Sequence, residues 1–485
     1  MIRAIIWLTL FGFTVTAHAD NWPQWRGPAN RGISSESKLP LSWSATKNVR
    51  WKVALPGAGV SQPIVWGERV FVTASDGRQN DRLHVQCYHR TDGKLLWHAR
   101  LFGTAPTDLY PPGGMAVPTP ATDGKNIYVL FGTGELAALE NATGRPVWIR
   151  SLAQEYGPFR NRWGMGTSPI LAGDTLYVQV DHWSQSYLLA VDPKTGKNRW
   201  KADRPTSVNW TSPLAVKVKD RLQIVTFGTN FARGYDAVKG DELWRVDGMH
   251  FQCIPSPIVQ GDTIFACSGV STMAIKLDDR KGDLTKTHVL WTNKKANAFL
   301  PSPLLYKGLI YLPGDRSFVT CLDAKTGAAV WKERLGEQFH ASPVAAGERV
   351  YIATKEGNVK VIRAGSDFEL LADNAMGEQI IASPAISDGQ IFVRGEKHLF
   401  GIGIRRAVGI NLPARSASDG ADVRWTRRLR SGLVGGIVSS RSPWEVDRLV
   451  IKQPNRHISK ATDTRSATSA SPGSGRVDPE PGRIR

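Results

Sequence analysis

The sequence predicts an all-β fold: an eight-bladed β-propeller of four-stranded antiparallel blades, its ring closed by a strand from near the N-terminus. Three observations predict it. A Ser/Thr/Gln-Pro step followed by an apolar pair recurs eight times, at Pro63, Pro120, Pro169, Pro213, Pro257, Pro303, Pro343 and Pro384. The steps lie about 46 residues apart, the period of a propeller blade. Frequent punctuation, 47 Gly and 29 Pro in 485 residues, opposes long helices and favours many short strands.

Residues 1–19 read as a secretory signal, with Arg3, an apolar stretch from Ala4 to Thr16, and Ala17-His18-Ala19 as a small-x-small cleavage site. Thirteen apolar residues fall short of the ~20 a spanning helix needs. The expected product is soluble and exported, periplasmic or extracellular, and monomeric, without stable membrane insertion. Residues 20–48 form an N-terminal extension. Its opening, Trp22-Pro23-Gln24-Trp25-Arg26-Gly27-Pro28, is read as a cap on the propeller rather than a ligand site.

Residues 49–404 form the propeller. In each unit the proline heads the first strand, because a residue without an N–H belongs at a sheet edge. A turn such as Gly173-Asp174 follows, then an apolar run such as Leu176-Tyr177-Val178. A third strand ends in a turn such as Leu322-Asp323-Ala324-Lys325-Thr326-Gly327, where the carboxylate accepts backbone N–H groups and Gly accepts positive φ. Those acids therefore read as structural. The fourth strand carries a tryptophan: Trp97, Trp148, Trp200, Trp244, Trp331, and Trp291 after a longer insert. Unit seven has Leu370-Leu371 where tryptophan is expected. The eighth unit stops after its third strand, and Val49-Arg50-Trp51-Lys52-Val53, a fourth-strand segment without a unit, is expected to complete it.

The Leu-Asp-x-x-Thr-Gly-x-x-x-Trp unit resembles the repeat of quinoprotein-type (PQQ-like) propellers. That resemblance implies that the tryptophans, Trp51 included, dock between neighbouring blades. It covers both pyrroloquinoline-quinone (PQQ) dehydrogenases and non-catalytic relatives, notably the propeller subunit of outer-membrane barrel assembly. The Trp-Pro-Gln-Trp-Arg-Gly-Pro opening is similar to that of exported bacterial PQQ-like propellers.

Chemistry is harder to find. A quinoprotein dehydrogenase needs oxygen ligands around calcium, a base, and cations for the cofactor's carboxylates. No extra Asp/Asn/Glu cluster stands out, and the one sizeable insert, Phe102 to Met115, holds a single acid, Asp108. The vicinal cysteine pair of the alcohol-oxidising members is absent, as are CxxCH, nucleophilic triads, phosphate loops and HExxH. Cys87 and Cys321 occupy third-strand positions where other units place Ala or Gly, so a small buried residue is wanted there. Cys253 and Cys267 flank a hairpin turning at Gly261-Asp262, and their parity puts the sulfurs on opposite faces unless a bulge intervenes.

Aromatic residues precede five successive first-strand prolines: Arg162-Trp163, Trp210, His250-Phe251, Phe299, and Phe339-His340. They read either as a plug of the channel end or as an aromatic, basic-rimmed binding funnel. Net charge is +19, of which residues 20–404 carry +9 and the Arg/Ser-rich segment 405–485, with 14 Arg and 2 Lys against 7 acids, another +9. That last segment lacks period and is expected to be disordered. The reading is a non-catalytic binding or scaffolding module for a protein or anionic polymer, without cofactor. The alternative is a PQQ-dependent oxidoreductase, with calcium, at a divergent site.

Overall fold

Each unit folds as a four-stranded antiparallel meander because its apolar runs are too short for helices and are separated by tight turns. A computed structural model describes residues 20–404, apart from 45–46, 106, 250–252 and 315–316. The leader and the Arg/Ser-rich segment expected at 1–19 and 405–485 lie outside the described residues, as do His250 and Phe251.

Eight sheets form the ring. Blade three shows the pattern, with strands Ile170–Ala172, Thr175–Val180, Ser186–Val191 and Asn198–Arg204 in spatial order. The middle strands are wholly buried between neighbouring blades, whereas the fourth, at the rim, is exposed or half-buried up to its last residue, Arg204. Closure follows the expected exchange. Val49–Ala54 pairs antiparallel with His398–Gly403, placing Trp51 opposite Gly401 and completing blade eight.

The tryptophan seams have a shared geometry. Within its own blade each indole lies opposite a small third-strand residue: Trp97 opposite Cys87, Trp148 opposite Ala138, Trp200 opposite Ala190, Trp291 opposite Ala274, Trp331 opposite Cys321. Across the seam its N–H donates to a carbonyl in the next blade's third turn. The acceptors are Arg90 for Trp51 (2.7 Å), Asn141 for Trp97 (2.9 Å), Pro193 for Trp148 (2.9 Å) and Ala237 for Trp200 (3.1 Å). Trp291 and Trp331 donate likewise to Ala324 and Gly365 at 3.1 and 3.3 Å. The turn glycine lies flat against the same ring. A Cβ on Gly144, at φ +73°, would sit 2.5 Å from Trp97. That glycine is required twice over, by its dihedral and by its neighbour. The turn acids act as read from the sequence, Asp192 accepting the N–H groups of Lys194 and Thr195 at 2.8 and 3.0 Å.

Two seams depart. Contrary to the docking across blades that the repeat implies, Trp244 turns onto its own sheet, its N–H donating to Gln223 Oε1 at 2.7 Å. Blade five has the long insert there, and its Gly282–Asp283 adds a fifth strand parallel to the outer strand of blade four, opposite Trp244. The covering strand leaves the indole 1 % exposed. Blade seven lacks its tryptophan, and Trp43 of the extension supplies one. Its backbone N–H donates to Asn374 Oδ1 at 2.9 Å, and its ring packs in the cluster joining blades seven and eight with Met376, Ile386 and Phe392.

Cys87 and Cys321 are buried under their tryptophans, and burial raises both thiols to about 12. Cys253 Sγ donates to Gly228 O at 3.6 Å, and Cys267 Sγ accepts from Ala298 N at 3.2 Å.

Candidate functional site

The first strands line the axis, and what they present there is a ring of hydroxyls. At seven of the eight seams the residue before the proline donates its backbone N–H to the hydroxyl of the corresponding residue in the next blade. The chain runs from Gln62 N to Thr119 Oγ1 (2.9 Å), then Ser168 (3.0 Å), Ser212 (2.9 Å), Ser256 (3.0 Å), Ser302 (2.9 Å), Ser342 (2.9 Å) and Ser383 (2.9 Å). These seven hydroxyl residues are each 1–5 % exposed. At the eighth seam a glutamine replaces the hydroxyl: Gln62 Nε2 donates to Pro384 O at 2.6 Å, while its Oε1 accepts Arg26 N at 2.8 Å. The belt explains why the step is Ser/Thr-Pro. Proline ends one residue's donor sequence, and the preceding hydroxyl satisfies the neighbouring blade's N–H.

The extension closes one end of the channel. Trp22 bridges Val65 of blade one, Pro23 O accepts Thr122 N of blade two, and Gln24 Oε1 accepts Leu171 N of blade three at 2.7 Å. Trp25 then reaches the axis and donates its N–H to Ser256 Oγ at 3.2 Å. Ile33–Ser34 leaves as a fifth strand parallel to the inner strand of blade seven. The capping expected of this segment is thus a floor laid across the axis. Next to Trp25, Arg26 is 1 % exposed. Its guanidinium has only long bonds to Ser302 O (3.5 Å) and Arg31 O (3.4 Å), and Nε has no partner. Burial lowers its pKa to about 9.

Above the belt lies a blind funnel of about 360 Å³. Its floor is Trp25, its wall the seven hydroxyl residues, its rim Trp163, Trp210, Phe299, Leu300, His340 and Tyr110. Trp210 is fixed by its N–H to Gly164 O at 2.8 Å. Trp163 is half exposed, with the Arg162 guanidinium 5.5 Å from its ring centre. Tyr110 OH and His340 Nδ1 meet at 3.1 Å, and burial holds the His340 pKa below its usual value.

Of the residues singled out from sequence, Trp163, Trp210, Phe299 and His340 meet on the funnel, and Arg162 stacks at its edge. Phe339 does not join them. It is 5 % exposed within the cluster of Tyr311, Ala345 and Val350, because its neighbour His340 takes the channel side and extended backbone alternates. Sequence reasoning missed Trp25, Tyr110 and the belt. Tyr110 lies in the Phe102–Met115 insert, outside the repeat, where no period marks it, and the signal for the belt is the repeated hydroxyl before proline.

The family model of the outer membrane protein assembly factor BamB matches residues 34–157, 81–333 and 287–468. The chain is 23 % identical over 289 residues to tetrathionate hydrolase of Acidithiobacillus ferrooxidans, covering 55 % of this chain and 53 % of that one. It is 24 % identical to polyvinylalcohol dehydrogenase of a Sphingopyxis species, covering 65 % and 51 %. Against BamB of Burkholderia pseudomallei the figures are 27 % identity with 22 % and 28 % coverage. The chain therefore spans about half the length, or less, of these curated relatives. Among solved structures, BamB from Moraxella catarrhalis superposes with a TM-score of 0.54 at 13 % identity, over 73 % of this chain and 97 % of that one. A europium-containing methanol dehydrogenase gives 0.61 at 12 % identity, over 77 % and 89 %. These likenesses show the fold.

Proposed function

The chain belongs to the outer membrane protein assembly factor BamB family, and from that premise we propose that it is a non-catalytic binding module whose aromatic funnel captures a partner. The observation that carries this reading is the lining of the funnel. Aromatic faces and neutral hydroxyls converge there, and the described lining residues include no Asp, Glu, Lys or Arg. Such a lining binds by stacking and shape, each aromatic contact contributing about 1 kcal/mol.

PQQ with calcium does not fit this donor set. A hard divalent cation takes carboxylate and carbonyl oxygens, and no carboxylate faces the funnel among the described residues. Nor do the described residues offer a group of three His, Cys, Asp or Glu able to hold a metal.

One relative is by name an assembly factor of outer membrane proteins, and residues 1–19 read as a leader. Both favour an exported protein working on a protein partner. No helix among the described residues is long and apolar enough to cross a membrane. The test is pull-down from an exported-protein extract with wild type and the Trp163→Ala/Trp210→Ala double variant. Capture should be lost in the variant while its melting temperature stays unchanged. Capture indifferent to both substitutions, or PQQ- and calcium-dependent dye reduction by the wild type, would overturn the reading.

A further inference from the structure

The hydroxyl belt has a surplus that the fold does not use. Each of its oxygens accepts a backbone N–H from the preceding blade, yet among the described residues none of the seven hydroxyls has a protein acceptor for its own proton. Ser256 already accepts from both Ser212 N and Trp25 Nε1, so donation is all that remains to it. A ring of buried O–H groups thus converges on the axis at the bottom of a pocket closed by Trp25.

A charge is stranded beside the same ring. Arg26 is wholly buried, touches the belt at Ser302 O, and among the described residues has only backbone acceptors. Among the described residues no carboxylate stands within ion-pair distance of it. A buried guanidinium without a counter-ion is costly unless an anion is brought to it. A second, Arg394, is bonded among the described residues to Ser61 and Thr73 alone, and lines a cavity of about 290 Å³ that shares Val60 and Ile381 with the funnel.

We infer that the funnel, on the reading above that it is a binding site, receives an oxyanion head first: a carboxylate on a flat apolar body. The head accepts hydrogen bonds from the belt in the field of Arg26, and the body stacks on Trp163 and Trp210. Neutral donors suffice to hold such a head when several converge, because charge-assisted hydrogen bonds are about twice as strong as neutral ones. The floor fixes the direction of entry. A polymer cannot thread the channel, so only a terminus or a small molecule satisfies the belt. Two sources offer this chemistry, a free aromatic carboxylate and the C-terminal carboxylate of a protein ending in an aromatic residue.

The experiment is calorimetric titration of the full chain with 2-naphthoate and with the neutral alcohol 2-naphthalenemethanol, which carries the same ring system. The carboxylate should bind about tenfold or more tightly than the alcohol. Arg26→Met should remove that preference without lowering the melting temperature of the unliganded protein, since it deletes an uncompensated buried charge. Should Arg26→Met fail to fold, Ser302→Ala/Ser342→Ala, which removes two donors, should weaken naphthoate but not the alcohol. A tetrapeptide Gly-Gly-Gly-Phe with free carboxylate, against its C-terminal amide, separates the sources: tighter binding than naphthoate assigns a protein terminus, and weaker binding a small acid. Equal affinity for naphthoate and alcohol, or no binding of either, overturns the oxyanion assignment. Partner capture that still depends on Trp163 and Trp210 would then leave the binding-module reading standing. Naphthoate binding unaffected by Trp163→Ala/Trp210→Ala would sink both.

Discussion

Trp51→Ala tests ring closure most directly. The indole is 7 % exposed, lies over Gly401 of its own blade and Gly93 of blade one, and donates to Arg90 O at 2.7 Å. Burying an indole removes about 200 Å² from water, which at about 25 cal/mol per Å² is near 5 kcal/mol. The methyl group left behind retains a fraction of that, and the orphaned Arg90 carbonyl adds about 1 kcal/mol. The expected loss is roughly 4–5 kcal/mol, within the range for large-to-small core truncations. It should be read by urea unfolding and calorimetry of the full chain, beside two internal standards. Trp51→Phe keeps most of the packing and loses only the hydrogen bond, so it should cost about 1–2 kcal/mol. Trp331→Ala removes a less buried indole with a 3.3 Å bond and should cost about 2–3 kcal/mol. The closing strand should also fray, so limited proteolysis of Trp51→Ala should cut first between residues 44 and 58. A Trp51→Ala protein within 1 kcal/mol of wild type, or no costlier than Trp331→Ala, would refute the closure argument.

Gly144→Ala should cost about 2–3 kcal/mol because it meets both a φ of +73° and the Trp97 ring, whereas Gly173→Ala, at φ +60° with open space around it, should cost only about 1 kcal/mol; equal losses by thermal melting would discredit the stacked-turn account. Trp25→Ala should leave the melting temperature within a few degrees but open the funnel floor, so naphthoate should bind more weakly; unchanged affinity would show that the floor is set elsewhere. Burial lowers the folded pKa values of His98, His182 and His340 below 6.5. The unfolded chain therefore binds protons first as pH falls below about 6.5, and stability should decline from there downward. Below about pH 4, Asp76 adds to the decline, its pKa held low chiefly by the hydrogen bond from His84. A urea midpoint that holds or rises between pH 7 and 5 would contradict the histidine contribution.

The propeller was legible because most units repeat the same three devices: a proline that can only sit at an edge, an acid…Gly turn, and a tryptophan paired with a small residue. Where the period breaks, legibility broke with it. Trp244 looked like its homologues in the repeat, and nothing local signalled that the insert at residues 277–288 would send a strand over it. Blade seven's missing indole was visible as an absence, but its replacement by Trp43, some 330 residues away, has no periodic trace. The site divides in the same way. Aromatics before the prolines placed Trp163, Trp210, Phe299 and His340 on the funnel, since first-strand entry points converge on any propeller axis. Phe339 against His340 needed the parity of a single residue, which an irregular entry segment does not fix. Arg26 and Trp25 owe their positions to contacts of their segment with blades one, two, three, five and six together, a constraint visible only once the ring is assembled.

The strand exchange also sets a timetable for folding. Residues 49–54 leave the ribosome before any blade exists, and their partner at 398–403 is made some 350 residues later. Through that interval the segment is an unpaired strand with an exposed indole, the kind of surface that pairs wrongly or aggregates. Closing so long a loop carries an entropic penalty that grows only slowly with its length. The delay is therefore mainly one of waiting rather than of free energy. Blades one to seven can form in order from local hairpins, but the floor, the seventh seam and the eighth blade all draw on the first 35 described residues. The last step of folding thus recruits the earliest-made part of the propeller, and a chain cut short before residue 398 would hold seven blades and an N-terminal strand with nothing to join.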